Sequence, residues 1–281
     1  MIKITECPRD AMQGRLKFIP TELKIKYINF LLKVGFDVID FGSFVSHKVV
    51  PQLKDTSKVL SGLDLDQTKS DLLSIVANLR GAYEASQYDE ISIIGFPFSV
   101  SEQFQLRNTN KTRLSALIDI QNIQNICTNS NKKLRVYISM GFGNPYGDPF
   151  SSGIVLKWAK KISDLGVAEI ALSDTIGIAE PILIQSLFEL LSHELKEVEI
   201  SAHLHSLPEI WEEKVKAAFN SGCFSFDSAI KGFGGCPLAE DKLVGNLATE
   251  NLISFFSSQL SPNFNLENFK ASVSLAQEVF S

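Results

Sequence analysis

Lys3-Ile-Thr-Glu-Cys7-Pro-Arg-Asp-Ala-Met-Gln-Gly14 is the stretch on which the choice of fold turns. A short strand-like run ends at Cys7, and Pro8-Arg9-Asp10 follows it directly. An open doubly wound sheet usually places a glycine-rich phosphate turn after its first strand. No such turn stands here. Outward from this point the chain repeats one theme. Strand-like runs recur near Val38–Gly42, Leu72–Asn78, Glu90–Gly95, Leu134–Gly141, Ala168–Asp174, Val198–His205 and Phe224–Ile230. Longer stretches with 3.6-residue spacing lie between them, among them Thr21–Val34, whose Lys24, Lys26 and Lys33 fall mostly off the apolar face, Gly153–Leu165 and Pro181–Lys196. Eight such units in roughly 250 residues predict a closed (β/α)₈ TIM barrel. The expected organisation is one catalytic domain over 1–281, with the barrel to about 260 and a helical extension over 261–281. Gln121–Asn131, with six Asn or Gln residues, reads as a polar helix end and loop before the fifth strand.

The 281 residues are 44% hydrophobic and 21% charged, with a net charge of 27 − 32 = −5. That suits a well-buried core and excludes a disordered chain. The longest apolar run, Ile91–Val100, is strand-sized and holds Gly95 and Pro97, so no membrane span is expected. An acidic chain without a basic block argues against nucleic acid as partner. The four cysteines are few and far apart, and the first residues lack a signal-peptide layout. Both point to reduced thiols and a cytoplasmic protein.

In a barrel, chemistry gathers where strands end and βα loops begin. Those ends carry Arg9, Asp10 and Gln13, then Asp40 and Ser43, Asn78, Asp174, His203 and His205, and finally Cys236 and Asn246. On a strand, residues i and i+2 share a side, so His203 and His205 reach one point. Alone they read equally as hydrogen-bonded pocket histidines. Asp10 and Asn246 complete a mixed nitrogen and oxygen set suited to Mg²⁺ or Mn²⁺. Arg9 suits an oxyanion or carboxylate, with a salt bridge as its competing role. Gln13, Asp40, Ser43 and Asn78 are expected on the substrate side of the mouth. Cys236, in Gly232-Phe-Gly-Gly-Cys-Pro, sits in a loop of high glycine content and suits acid–base work. Asp174 reads as a partner for a histidine, a proton acceptor, or a helix cap. Cys7, Cys127 and Cys223 read as core residues, and His47 and His193 as surface residues.

Pro8-Arg-Asp-Ala-Met-Gln13, Asp40-Phe-Gly-Ser-Phe-Val-Ser46, Gly143-Asn-Pro-Tyr-Gly147, Ser173-Asp-Thr-Ile-Gly177, His203-Leu-His205, Gly234-Gly-Cys-Pro237 and Gly245-Asn-Leu-Ala-Thr-Glu250 span nearly the whole chain. Together they resemble the 3-hydroxy-3-methylglutaryl-CoA lyase family, within a wider group of metal-dependent lyases and Claisen-condensing barrels. The resemblance implies cleavage of a 3-hydroxy-3-methylglutaryl thioester to acetyl-CoA and acetoacetate. It makes Asp10, His203, His205 and Asn246 ligands of a divalent cation. It gives Arg9 the enolate, Cys236 acid–base work from a lid loop, and Asp174 a catalytic place beside the metal. His203 and Asp174 are both left as candidates for the initial base. An acyl-CoA is the implied partner, a homodimer is common among such barrels, and the family name alone implies leucine breakdown.

This chain departs from the family at three places. Asp40 stands where Glu is usual, Ala11-Met-Gln-Gly-Arg15 follows Arg-Asp, and Ser206-Leu-Pro-Glu209 replaces Asp-Thr-Tyr-Gly after His-x-His. The alternatives are a condensing synthase or 2-oxo-acid aldolase of the same group, or an inactive barrel that binds acyl-CoA or metal. The synthases usually carry further C-terminal domains, which leaves the lyase as the expectation.

Overall fold

The structure, a computed structural model, describes residues 1–66, 68–235 and 244–280. Eight strands close into a barrel in sequence order: β1 (Lys3–Glu6), β2 (Val38–Ser43), β3 (Asp71–Ile75), β4 (Ile91–Ser99), β5 (Lys133–Ser139), β6 (Glu169–Asp174), β7 (Glu199–Leu204) and β8 (Ser225–Ser228). Every neighbouring pair is parallel. Around them run α1 (Pro8–Gln13), α2 (Thr21–Leu32), α3 (Thr56–Ser61), α4 (Leu79–Ser86), α5 (Glu102–Thr109) and α6 (Arg113–Asn129). They continue with α7 (Ser152–Ser163), α8 (Pro181–Glu194), α9 (Trp211–Asn220), α10 (Thr249–Phe255) and α11 (Leu266–Val279). The expected barrel is therefore present. So is the C-terminal helix, whose end places Phe280 edge-on to Tyr27 of α2 at 5.7 Å.

Two local readings change. The helix end expected in Gln121–Asn131 runs further than its polar residues suggest, to Asn129, because Ile120, Ile123 and Cys127 keep the helical spacing and are buried, which leaves only a short turn before β5. Asn122 and Asn125 point to solvent from the same helix. In α2, Lys24 is buried rather than off the apolar face, because its ammonium pairs with Asp55 at 2.7 Å.

Strand alternation divides the side chains into two layers. Outward residues such as Ile170, Leu172, Ile200 and Leu204 join one apolar cluster with the helices. Burial of each such side chain contributes about 1.5–3 kcal/mol. Inside the barrel, one half is plugged by Val38, Leu73 and Ile93. The other half is ionic. Arg135 donates to Glu169 at 3.0 Å and to Thr5 at 3.1 Å, and lies 3.5 Å from Asp227. These two halves form the floor of the open end of the barrel.

Glu6 is wholly buried where β1 meets both stems of the loop after β8. Its carboxylate accepts from Ile230 N at 2.9 Å and from Thr249 Oγ1 at 2.5 Å. Burial raises the carboxyl from 4.5 to about 8, against the pull of those two bonds. The folded state thus keeps a proton that the unfolded chain releases. The contribution of Glu6 to stability is fully present below about pH 4.5, falls as pH rises toward 8, and levels beyond it. The linkage is on the order of 5 kcal/mol. Glu6→Gln mimics the protonated acid. It is expected to flatten this slope, so that the variant melts higher than the parent near pH 8.5 and alike near pH 5. An unchanged slope would assign the pH dependence to other groups.

Candidate active site

The open end of the barrel holds a cavity of about 190 Å³. Its polar wall includes Arg9, Asp10, Gln13, Tyr137, His203 and His205, and its apolar wall includes Val45, Val49, Val50 and Phe104. The first three come from α1, a six-residue helix set directly after β1 with Pro8 at its first position. One turn of helix brings residues three and four apart together. Gln13 accordingly donates to Asp10 Oδ1 at 2.6 Å and accepts from Arg9 Nη1 at 2.8 Å.

His203 and His205 arrive from β7 on the same side, with ring centroids 5.3 Å apart. Asp10, His203 and His205 each offer one ligand atom, and these atoms lie within 4.8 Å of one another. His203 Nδ1 meets Asp227 Oδ2 at 3.1 Å, and His205 Nδ1 meets the Thr175 carbonyl at 3.0 Å. A carbonyl only accepts, so the His205 proton sits on Nδ1 and its Nε2 carries a bare lone pair. That Nε2 is buried and has no hydrogen-bond partner. A buried nitrogen without a partner, beside a carboxylate and a second imidazole, fits a divalent cation.

The electrostatics agree. Burial and the neighbouring His203 hold His205 down at about 4, which keeps it neutral. Burial also disfavours the charged form of His203, but the Asp227 bond together with the charges of Asp227 and Asp10 outweighs it and raises that imidazole. Asp10 is held below the usual carboxylate range, since Arg9, the two histidines and Asn246 overcome its burial. Asn246 donates through Nδ2 to Asp10 Oδ2 at 2.6 Å and to the Phe233 carbonyl at 2.9 Å. Without a cation, the nitrogen is the end of the amide that satisfies both acceptors. Turning the amide over would present its oxygen at the same place. Gly234, at φ +95°, allows this close approach, for a Cβ there would lie 2.7 Å from Asn246 Nδ2.

Arg9 is gripped from below by Asp40, whose Oδ2 receives Nε at 3.0 Å and Nη2 at 2.5 Å. Burial lifts the Asp40 carboxyl to about 6 although Arg9 pulls it down. Arg9 is thus ion-paired and also lines the cavity.

The structure does not bring every expected residue to the pocket wall. Asp40 lies beneath Arg9. Ser43 closes the end of β2, donating to the Ile75 carbonyl at 3.0 Å and accepting from Val45 N at 3.1 Å. Asn78 caps α4 through Gly81 N at 3.0 Å, while its neighbour Ala77 faces the cavity. Asp174 corrects the expectation most. It points outward between Ser173 and Thr175, which do line the cavity, and pairs with Lys214 at 2.8 Å. Burial raises its carboxyl, and Lys214 with two backbone N–H groups draws it back. Cys236 lies outside the described residues.

The structure adds residues that the strand-end reading passed over. Asp227 stands behind His203, and Thr175 behind His205. Tyr137 meets the His203 ring edge-on at 5.6 Å, and its hydroxyl is buried without a hydrogen-bond partner. A charged or phenolic residue within a strand-like run, in phase with the histidines, was the available signal.

Comparison with known proteins agrees with this geometry. Mouse mitochondrial hydroxymethylglutaryl-CoA lyase is 33% identical over 255 residues, which cover 90% of this chain and 77% of the relative. The crystal structure of the Bacillus subtilis HMG-CoA lyase superposes with a TM-score of 0.91 at 29% identity, over 99% of this chain and 93% of that one. An HMG-CoA lyase from Acinetobacter baumannii, in complex with coenzyme A and 3-methylmalate, gives a TM-score of 0.90 at 26% identity, over 100% and 91% of the two chains. The family model described as HMGL-like matches residues 2–275, from the first strand into the last helix, and the chain belongs to that family.

Proposed function

We propose that this chain is a carbon–carbon lyase that cleaves 3-hydroxy-3-methylglutaryl-CoA, or a closely related 3-hydroxyacyl thioester, to acetyl-CoA and acetoacetate. The observation that carries the reading is the buried, unpartnered Nε2 of His205 beside Asp10 and His203, on the wall that also presents Arg9. Two groups of relatives support it, the curated lyases and the lyase structure that holds coenzyme A.

The reaction passes the C3 hydroxyl proton to a base, for which His203 is the candidate on the cavity wall, breaks the C2–C3 bond and leaves the two carbons of the departing acetyl group as a thioester enolate. Asp10, His203, His205 and Asn246 would hold a divalent cation, which supplies a Lewis acid for the hydroxyl oxygen. Arg9 stabilises the developing enolate oxygen. A guanidinium has five N–H groups. Asp40, Asp10 and Gln13 take up Nε, Nη1 and one hydrogen of Nη2, which leaves the second Nη2 hydrogen for substrate. The Tyr137 hydroxyl offers another donor at the same wall. Val45, Val49, Val50 and Phe104 exclude water around the carbanion. Cys236 is the thiol that the family resemblance assigns to protonation of the acetyl carbon. We take 1–281 as one catalytic domain in the cytoplasm. Cys7, Cys127 and Cys223 are free thiols, and no helix among the described residues is long and apolar enough to cross a membrane.

A coupled assay for both products tests this. Turnover is expected with Mg²⁺, is expected to vanish with excess chelator, and is expected to return on addition of Mg²⁺ or Mn²⁺. Turnover indifferent to chelator would reject the cation, and absence of acetoacetate would reject the substrate.

A further inference from the structure

Directly outside the pocket wall lies a buried cation that the proposed chemistry does not use. Lys214 of α9 is 1% exposed. Its ammonium donates to Asp174 Oδ2 at 2.8 Å, to the Gly177 carbonyl at 2.9 Å and to the His205 carbonyl at 2.9 Å. Three acceptors meet the three N–H groups that a lysine carries. They come from the end of β6, from the turn that follows it, and from the end of β7.

The same turn is fixed from its other side. Asp174 accepts from Ile178 N at 2.9 Å and from Ala179 N at 3.1 Å. His205 is tied to this assembly twice, by its carbonyl to Lys214 and by Nδ1 to the Thr175 carbonyl at 3.0 Å. Thr175 in turn accepts from Met140 N through Oγ1 at 2.8 Å. The backbone and ring of His205 therefore have one support, with an ammonium at its centre. An ammonium so near a cation site would repel the ion if it stood alone. Asp174 neutralises it, which accounts for an aspartate that faces away from the cavity.

We infer that Lys214 is a positioning residue for the lyase reaction: with Asp174 it locks the end of β7 against the turn after β6 and so aims His205 Nε2 at the cation. This rests on the reading of His205 as a ligand. It gives Asp174 the part of an anchor in place of a proton acceptor. Residues that orient a ligating histidine typically change metal affinity by about 10–100-fold when removed.

The test measures Mn²⁺ affinity by electron paramagnetic resonance, together with the melting temperature of the chelated protein. It compares the parent, Lys214→Met and the double variant Lys214→Met/Asp174→Asn. The single variant strands a buried carboxylate and is expected to melt far lower. The double variant removes both charges and is expected to regain most of that loss while still binding Mn²⁺ at least about tenfold more weakly than the parent. A double variant that melts near the parent and binds Mn²⁺ within twofold of it would overturn the inference, leaving the pair a matter of stability alone. A parent that binds no Mn²⁺ would instead defeat the cation reading, and this inference with it.

Discussion

His205→Ala is expected to abolish measurable Mn²⁺ binding and to lower turnover by on the order of 10³-fold or more. The expectation follows from what the side chain does. Its Nδ1 is committed to the Thr175 carbonyl, so Nε2 is its only free atom. That atom is buried and unpartnered, and His205 offers a ligand atom within 4.8 Å of those of Asp10 and His203. An alanine removes one nitrogen ligand and leaves three residues, Asp10, His203 and Asn246. The fold is expected to survive, because the His205 ring is neutral and makes one hydrogen bond, while the backbone carbonyl that Lys214 holds is kept. A pH profile of the chelated protein gives a second signature. Burial and His203 hold the folded imidazole at about 4, against 6.5 when unperturbed. Its contribution to stability is thus fully present above pH 6.5 and is lost as pH falls toward 4, by about 3 kcal/mol. The variant is expected to lack that acid-side loss. Mn²⁺ affinity equal to the parent's would remove His205 from the ligand set.

The barrel and the metal-type cluster were legible because they rest on short-range rules. Strand period and helix period can be read along the chain, and His203-Leu-His205 places two rings on one side by alternation alone. The same rule, carried one step further, separates Asp174 from the cavity. Ser173 and Thr175 share the phase of the inward residues, so the aspartate between them must face the helices. What alternation does not supply is the partner waiting there. Lys214 lies forty residues on, in a helix whose other buried positions are apolar. A lysine in such a sequence looks like a solvated charge until the helix is docked. Lys24, read as lying off the apolar face of α2, follows the same pattern. Ser43 and Asn78 fail for a different reason. Short polar side chains at strand ends also satisfy the backbone of the following turn, and both do so here. Asp227, Arg135 and Tyr137 were readable as polar interruptions of strand-like runs. Their assembly into a floor under His203 needed the closed barrel, which brings β1, β5, β6 and β8 together.

Arg9→Gln is expected to cost about 10²–10³-fold in kcat with a smaller change in KM, the pattern for a donor that acts mainly on charge formed in the transition state. Burial disfavours the guanidinium charge, yet Asp40 and Asp10 more than compensate, so Arg9 remains a cation at the cavity wall. A glutamine offers two N–H donors on a single nitrogen, against five on the guanidinium, and no charge. The variant carries a second penalty, because Asp40 is wholly buried and loses its fork of hydrogen bonds. Loss of a partner from a buried pair typically costs about 3–5 kcal/mol. In the parent, the Asp40 carboxyl is already raised from 3.8 to about 6 by burial, so it favours the folded state less as pH rises across that interval. Without Arg9 the window extends to higher pH, and the variant is expected to lose stability furthest on the alkaline side. Asp40→Asn in the Arg9→Gln background removes the stranded charge. It is expected to restore melting temperature and leave turnover low. If turnover returns together with stability, Arg9 is a structural ion pair and the enolate must be held by another group, with the Tyr137 hydroxyl the next donor on that wall.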